Sequence, residues 1–197
     1  MRIESVEIGA SGVAKIAAGG SSFLARVEEL ETLGLGPLVE GSELDDEAQA
    51  LLALASETYE TEYRALALLA RAEQSAFMLR SKLEARGFGA RSIRAALSRL
   101  ESQGLLDDRR FAKAYASSRI ARRAEGPVSL RSALQARGID GALAKEVVGS
   151  LFSGEERAEL LARAFQRELR RSGGDPDAAR ARLRRLGYSA GEVAGCG

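Results

Sequence analysis

The sequence predicts a mainly α-helical protein, an elongated array of tandem three-helix repeats that follows a small β-containing N-terminal segment. Three observations lead to this prediction. Ala, Leu, Arg and Glu dominate the 197 residues and only three prolines occur, which favours helices. Residues 79–87 (LRSKLEARG) and 130–138 (LRSALQARG) match at seven of nine positions. In the first third of the chain, glycines separate short apolar groups, which is typical of strands joined by turns.

The N-terminal segment, residues 1–60, is expected to form short strands and then a helix. Its apolar groups are Ile3, Val6 and Ile8, then Val13 and Ile16, then Phe23, Leu24 and Val27. A glycine-rich loop follows, and Ser42 then precedes a run of acidic residues. Acidic side chains suit the positive end of a helix dipole, so we predict a helix over residues 44–57.

The nine-residue motif predicts the middle helix of each repeat. A weaker third copy, ARARLRRLG at residues 179–187, keeps Leu183 and Gly187. Every copy ends in glycine, the residue that adopts the left-handed conformation of a helix C-cap without steric cost. An apolar residue follows each glycine, namely Phe88, Ile139 or Tyr188, and can pack back on the helix end.

A further helix is predicted on each side of every motif. The helices that follow carry apolar stripes at i, i+3, i+4 and i+7, namely Ile93, Ala96, Leu97 and Leu100, then Ala144, Val147, Val148 and Leu151. The helices that precede carry Leu66, Leu69 and Ala70, then Phe111, Ala114, Tyr115 and Ser118, then Leu160, Leu161, Ala164, Phe165 and Leu169. The predicted repeats are residues 61–106, 107–153 and a truncated 154–197.

Local signals place the helix starts. Asp107 or Asp108 is an N-cap candidate, and Ser153 with Glu156, like Ser189 with Glu192, has the spacing of a capping box. Pro127 and Pro176 suit the first position of the middle helices. The helix before the first motif is expected over residues 62–73.

The composition argues against catalysis. The chain has no histidine and a single cysteine, Cys196, which excludes Ser-His-Asp and Cys-His mechanisms and the usual zinc sites. It contains no phosphate-binding loop of the Gly-x-x-x-x-Gly-Lys-Ser/Thr type. We therefore expect no enzyme, no metal and no cofactor. The single cysteine fits a reducing cytoplasm, and the short apolar runs give no reason to expect a membrane partner.

The net charge of +1 conceals an asymmetry. Residues 1–62 hold 3 basic and 13 acidic residues, whereas residues 63–197 hold 26 basic and 15 acidic residues. Equivalent positions of the repeats, Arg80 with Arg131 and Arg86 with Arg137, would form a basic line that follows a phosphate backbone or an acidic groove. The candidate partner-binding or DNA-binding residues are Arg80, Lys82, Arg86, Arg91, Arg94, Arg109, Arg110, Lys113, Arg119, Arg122, Arg123, Arg131 and Arg137.

Three runs of the sequence carry a resemblance: residues 65–88 (ALALLARAEQSAFMLRSKLEARGF), 104–119 (GLLDDRRFAKAYASSR) and 126–139 (GPVSLRSALQARGI). In order and spacing they resemble the RecX family, the regulators of the RecA recombinase. The chain departs from many members at Ala76, Phe77 and Met78, where those members have polar residues. The motif positions are Leu83, Gly87, Asp108, Phe111, Ala112, Gly126, Leu130, Leu134, Gly138, Leu183 and Gly187.

The resemblance implies a non-enzymatic modulator. Members of the family are three tandem three-helix units that lie in the groove of the RecA filament on single-stranded DNA, where they block strand exchange and the coprotease and ATPase activities. The implied partner is RecA on single-stranded DNA, with DNA itself as a further candidate, and we expect a monomer. Two alternatives stay open from the residues alone: a tandem helical DNA-binding protein that acts without RecA, and a helical-repeat adaptor for an acidic partner.

Overall fold

A computed structural model describes residues 1–196 of the chain. Ten helices and one three-stranded sheet within these residues confirm the mainly α fold class with a small β-containing segment. The chain divides into two compact units, the first made of Met1–Glu73 and Leu79–Leu106, the second of Gln74–Met78 and the residues from Asp107 onward. Gly197, the last residue of the predicted third repeat, lies outside the described residues. Within residues 1–196, no helix is long and apolar enough to cross a bilayer.

The predicted short strands form a three-stranded antiparallel meander. Strands β1 (Ile3–Ile8), β2 (Val13–Ala18) and β3 (Ser21–Arg26) lie in that order, with β2 in the middle. Their inward residues Ile3, Ile16 and Ala25 are buried, because alternate side chains of a strand point to one face. Helix α1 (Val27–Thr32) follows directly, and the sequence prediction missed it.

Helix α2 (Asp46–Leu69) is one continuous helix of 24 residues. The prediction of two helices, residues 44–57 and 62–73, is therefore wrong. No glycine or proline occurs between residues 47 and 69, so nothing in this stretch stops a helix. The N-cap is Asp45, whose carboxylate accepts from the Ala48 N–H at 2.8 Å, and not Ser42.

The C-terminal half of α2 has a more polar buried face than the apolar pattern predicts. Thr58, Thr61, Glu62 and Ala65 are buried, whereas Ala70 is exposed and Leu66 and Leu69 are half-buried. Thr58 and Thr61 donate their hydroxyl hydrogens to the backbone carbonyls four residues earlier, so these polar groups are satisfied inside the helix packing.

Two carboxylates of α2 hold the first unit together. Helix α3 (Ala76–Glu84) leads to α4 (Ala90–Ser102), which packs its apolar stripe on α2. Glu57 accepts from the Gly89 N–H at 2.7 Å and from the Ser92 hydroxyl at 2.5 Å, and so caps the start of α4 from outside that helix. The second carboxylate is that of Glu62, which is 2% exposed.

Glu62 connects the sheet to α2 and α4. The Arg26 Nε at the end of β3 donates to its Oε2 at 2.7 Å, and the Arg99 Nε of α4 lies 3.7 Å from the same oxygen. The hydrogen bond to Glu62 raises the pKa of Arg26 further above its already high usual value. A buried carboxylate is tolerated here because cations and hydrogen bonds surround it.

We expect Glu62→Ala to lower the free energy of unfolding of the first unit by about 2–3 kcal/mol, because Arg26 loses its hydrogen-bonded partner in a partly buried position. Urea unfolding followed by circular dichroism measures this change. The matched control is Glu60→Ala on the exposed side of α2, with an expected change within about 0.5 kcal/mol. Equal effects of the two substitutions would show that Glu62 has no special structural role.

The second unit holds the remaining helices around one core. These are α5 (Asp108–Arg123), α6 (Pro127–Gln135), α7 (Gly141–Leu151), α8 (Gly154–Arg171), α9 (Pro176–Arg185) and α10 (Ala190–Ala194). The buried side chains of this core include Phe111, Leu130, Leu134, Val148 and Leu183. Within α5, Ala112 and Ala116 are buried while Ala114 and Ser118 are exposed, so the predicted apolar stripe of that helix was wrong by about one position in register.

Most helix starts of the second unit are confirmed. Pro127 and Pro176 begin α6 and α9, and Ser189 with Glu192 forms a complete capping box. Burial disfavours the charged form of Glu192, but the hydrogen bonds from Ser189 and Arg157 outweigh it and lower the pKa of this carboxyl. The predicted box at Ser153 is wrong, because its hydroxyl donates to the Ser150 carbonyl at 2.9 Å and caps nothing.

The glycine that ends each middle helix has the left-handed backbone predicted for it. The φ angles are +87° at Gly87, +79° at Gly138 and +95° at Gly187. The N–H of the following apolar residue donates back to the motif leucine carbonyl in each copy, at 3.3 Å in the first and 3.2 Å in the other two. The shared conformation explains why the three copies keep glycine at this position.

Two of these helix ends are also packing sites. The Ser75 hydroxyl donates to the Arg137 carbonyl at 2.6 Å, and Phe77 lies against Gly138. One repeat later, the Gly126 N–H donates to the Leu186 carbonyl at 2.7 Å and the Val128 N–H to the Gly187 carbonyl at 3.1 Å. Both junctions therefore seat the start of one middle helix on the C-terminal end of the next.

Gly187 shows how close this approach is. A Cβ atom on Gly187 would lie 2.5 Å from the Ser129 backbone nitrogen, and one on Gly126 would lie 2.6 Å from the Gly187 carbonyl carbon. Real Cβ atoms keep longer distances from backbone atoms, so either alanine would force the two segments apart.

We expect Gly187→Ala to destabilise the second unit by about 1–3 kcal/mol more than Gly174→Ala, because only the former adds a steric overlap. Gly174 has a φ of +90°, and a Cβ atom at this position would have no neighbour within 4 Å, so both variants carry the same left-handed strain. Urea unfolding of the two variants measures the difference. Identical midpoints would contradict the close approach.

Candidate partner-binding surface

The predicted basic residues of the first unit lie at its surface. Helix α3 and the turn after it carry Arg80, Lys82 and Arg86, and α4 carries Arg91 and Arg94. All are exposed except Lys82, which is half-buried. The Arg86 guanidinium donates to the Lys82 carbonyl at 2.6 Å, which satisfies a carbonyl at the end of α3.

In the second unit, two predicted contact residues pack on a tyrosine instead. The guanidinium carbon of Arg137 lies 4.3 Å from the centroid of the Tyr115 ring, and that of Arg119 lies 5.7 Å from it. Tyr115 itself stacks on Phe111, with 5.9 Å between ring centroids. A cation over an aromatic face is attracted by the ring quadrupole, so Arg119 and Arg137 stabilise α5 and the end of α6.

Arg119 has a second structural partner. It forms an ion pair with Glu125, which is 7% exposed, and its Nε donates to Glu125 Oε2 at 2.8 Å. That hydrogen bond raises the pKa of the Arg119 guanidinium. Glu125 would be an uncompensated buried charge without this arginine.

Arg109 is paired at the surface. Its guanidinium makes a two-pronged contact with the Glu146 carboxylate of α7, with Nη2 2.9 Å from Oε2. The hydrogen bonds lower the pKa of Glu146 and raise that of Arg109. The pair is exposed on both sides, and a partner would have to compete with Glu146 for this arginine.

The other predicted residues of the second unit remain accessible. Arg110, Lys113, Arg122 and Arg123 of α5 are exposed, and Arg131 of α6 is half-buried. We call Lys113, Arg122 and Arg123 the α5 cations. Among the described residues, no ion pair involves their side chains, so their charge is available to a partner.

Positions that are equivalent in the repeat differ in their surroundings. Arg86 is exposed, whereas its counterpart Arg137 is half-buried over Tyr115. Arg80 is likewise exposed and its counterpart Arg131 half-buried. The repeat therefore conserves residue type without conserving what the side chain contacts, and the basic line along the repeats stays a prediction.

The acidic pair before α5 has two separate structural roles. The Asp107 carboxylate accepts from the N–H groups of Arg109 and Arg110 at 2.8 and 3.0 Å, which confirms it as the N-cap. Asp108 instead accepts from the Ala76 N–H at 2.8 Å. This motif aspartate thus fixes the segment that packs on the end of α6.

Sequence reasoning missed three arginines on α8. Arg163, Arg167 and Arg170 line a cleft of about 280 Å³, which we call the α5–α8 cleft. Its apolar lining includes Ile120, Ala124, Leu160, Ala164 and Tyr188. The spacing of the three arginines, i, i+4 and i+7, places them on one helix face and was the available signal.

The fold and the surface define a tandem three-helix-repeat protein with accessible basic helices. A family model described as "RecX, second three-helix domain" matches residues 107–148. The chain is 33% identical over 156 residues to the Regulatory protein RecX of Treponema pallidum (strain Nichols), covering 79% of this chain and 94% of that one. It is 48% identical over 84 residues to the Regulatory protein RecX of Thermus thermophilus, covering 43% of this chain and 57% of that one.

Solved structures share the fold. A crystal structure of regulatory protein RecX superposes with a TM-score of 0.77 at 23% identity, covering 98% of this chain and 97% of that one. RecX from Lactobacillus salivarius superposes with a TM-score of 0.64 at 18% identity, covering 71% and 94%. With the sequence relatives, these findings show that the chain belongs to the RecX family.

We expect Arg119→Gln to lower the free energy of unfolding by about 1–3 kcal/mol, because it leaves Glu125 buried without its hydrogen-bonded partner. Arg123→Gln, an exposed α5 cation, serves as the control, with an expected change within about 0.5 kcal/mol. Urea denaturation curves of both variants provide the comparison. An unchanged denaturation curve for Arg119→Gln would show that Arg119 is not needed for stability and is available to contact a partner.

Proposed function

We propose that this protein is a non-enzymatic regulator that binds the RecA filament on single-stranded DNA and inhibits its strand exchange, ATPase and coprotease activities. Membership of the RecX family is the observation that carries this proposal. The resemblance of residues 65–88, 104–119 and 126–139 to that family supplies the link to RecA. The regulatory role of the chain follows from the family, and the filament as its target is our proposal.

The accessible cations support binding to a negatively charged partner. Arg80, Arg91 and Arg94 in the first unit, and the α5 cations in the second, are exposed. Filament-bound DNA presents phosphates, and protein grooves present carboxylates, which arginine binds through two parallel hydrogen bonds. Arg119, held by the buried Glu125, serves the fold, whereas Arg109 is paired with the exposed Glu146, which a partner would have to displace.

Absence of catalysis fits the residues that the chain offers. It has no histidine, and its one cysteine, Cys196, is buried with a pKa raised by that burial. A thiol in this environment is a poor nucleophile, because the thiolate is the reactive form. Regulation by occupying a partner's surface requires neither a histidine nor a reactive cysteine.

The test measures RecA ATPase and strand exchange on single-stranded DNA with a stoichiometric amount of this protein. We expect both activities to fall. The triple variant Lys113→Gln, Arg122→Gln and Arg123→Gln should require about tenfold more protein for the same inhibition, because three exposed charge contacts of about 0.5 kcal/mol each are lost.

A matched triple variant keeps the test specific. Lys145→Gln, Arg184→Gln and Arg185→Gln removes three exposed charges elsewhere in the second unit and should inhibit like the unaltered protein. Unchanged RecA activities with the unaltered protein would contradict the proposal. Salt-dependent binding to DNA alone, without an effect on RecA, would instead indicate a DNA-binding protein that acts independently.

A further inference from the structure

The α5–α8 cleft of the second unit combines an apolar interior with a cationic rim. Of the residues that line it, Ile120 and Leu160 are half-buried and Tyr188 is buried, whereas Arg163 and Arg170 are exposed and Arg167 is half-buried. No carboxylate is among the described residues that line it. Its volume of about 280 Å³ is at or below the roughly 300–1,000 Å³ of pockets that enclose whole small molecules, and suits one or two side chains.

One arginine of the rim is held in place before any partner arrives. Arg167 donates through Nη2 to the Arg122 carbonyl at 2.8 Å, near the C-terminal end of α5. Among the described residues, Arg163 has its ion pair with Glu159, one turn earlier on α8, at 3.2 Å with both side chains exposed. Such exposed pairs contribute little, so an incoming carboxylate exchanges one weak contact for another and gains the neighbouring arginines.

Tyr188 is the aromatic residue that lines the cleft. The residue is 4% exposed, and its hydroxyl has no hydrogen-bond partner among the described residues. Burial raises the pKa of this hydroxyl to about 12, so Tyr188 remains protonated and adds no charge to the cleft.

We propose that the α5–α8 cleft binds an acidic peptide segment of a partner protein, with one aliphatic side chain inserted between Ile120, Leu160 and Tyr188 and flanking carboxylates paired with Arg163 and Arg170. The inference deepens the proposed function, since it assigns a protein-binding site to the regulator, and rests on it for the existence of a protein partner.

The apolar interior favours a peptide over nucleic acid. Proteins that hold unpaired bases stack them on accessible aromatic rings, whereas the only aromatic residue lining this cleft, within the described part of the chain, is the buried Tyr188. A phosphate backbone alone would leave the apolar interior unfilled. An acidic segment with an aliphatic residue matches both the charge and the interior.

The experiment uses a fluorescently labelled 12-residue peptide with a central Leu flanked by Glu, titrated with the full-length chain and read by anisotropy. The comparison peptides replace the central Leu with Ala, or the Glu residues with Gln. We expect each comparison peptide to bind about tenfold more weakly. The protein variant Arg163→Gln with Arg170→Gln should weaken the parent peptide by a similar factor, since both rim contacts are lost.

The control variant Arg184→Gln with Arg185→Gln removes the same charge from α9 and should bind the peptide normally. Circular dichroism confirms that both variants are folded. An equal loss of peptide affinity in the two variants would overturn the proposal in favour of nonspecific electrostatic attraction. Equal affinity for the peptides with a central Leu and a central Ala would do the same. A single-stranded oligonucleotide bound more tightly than the peptide, and equally sensitive to Arg163 and Arg170, would assign the cleft to phosphates instead.

This measurement contains no RecA, which separates the two proposals. Peptide binding without any effect on RecA activity would reject the proposed function and support the cleft as a peptide-binding site. Inhibition of RecA by a protein whose cleft binds no peptide would support the proposed function and reject the peptide-binding site.

Discussion

The close seating of one middle-helix start on the glycine that ends the next is the constraint on which the second unit depends. At Gly187 and Gly126 the two backbones approach until neither position has room for a Cβ atom. At Gly138 the same role falls to the side chain of Phe77 and the hydroxyl of Ser75. Successive helix ends thereby satisfy carbonyl groups that a lone helix would leave to solvent, and this reciprocal use explains how small repeats share one core.

Buried carboxylates divide the arginines into two populations, those that form ion pairs inside the fold and those that do not. Glu62 holds Arg26 in the first unit, Glu125 holds Arg119 in the second, and Glu168, which is 3% exposed, lies 3.0 Å from Arg171 and 3.6 Å from Arg182. The pairs of Glu62 with Arg26 and of Glu168 with Arg182 join neighbouring elements, and a pair with a buried carboxylate is expensive to break. Some arginines outside these pairs also have structural contacts, as Arg137 has with Tyr115, so the surface charge available to a partner is smaller than the count of basic residues implies.

This division bears on how a regulatory protein engages its partner. Binding that changes a partner's activity needs surfaces that are accessible, oriented and complementary in charge. The α5 cations supply accessible charge, and the α5–α8 cleft supplies shape together with charge. Both belong to one compact unit of the chain, so a single partner surface can engage them through α5, the helix that they share.

Periodicity and glycine placement determined the fold class, the three strands and the ends of the middle helices, because helix and strand periods and the left-handed C-cap are local properties. The sequence misplaced the start and the length of α2, where Asp45 and not Ser42 is the cap, since several polar residues could fill that role. Arg119 and Arg137, which are candidate contact residues from the sequence, lie against Tyr115, whereas Arg163, Arg167 and Arg170, which line a cleft, were not among those candidates. Only the tertiary structure decided these contacts, because periodicity does not show which of several nearby or distant groups an arginine meets: Glu125 beyond the end of α5, the face of Tyr115, or the apolar cleft beside Tyr188.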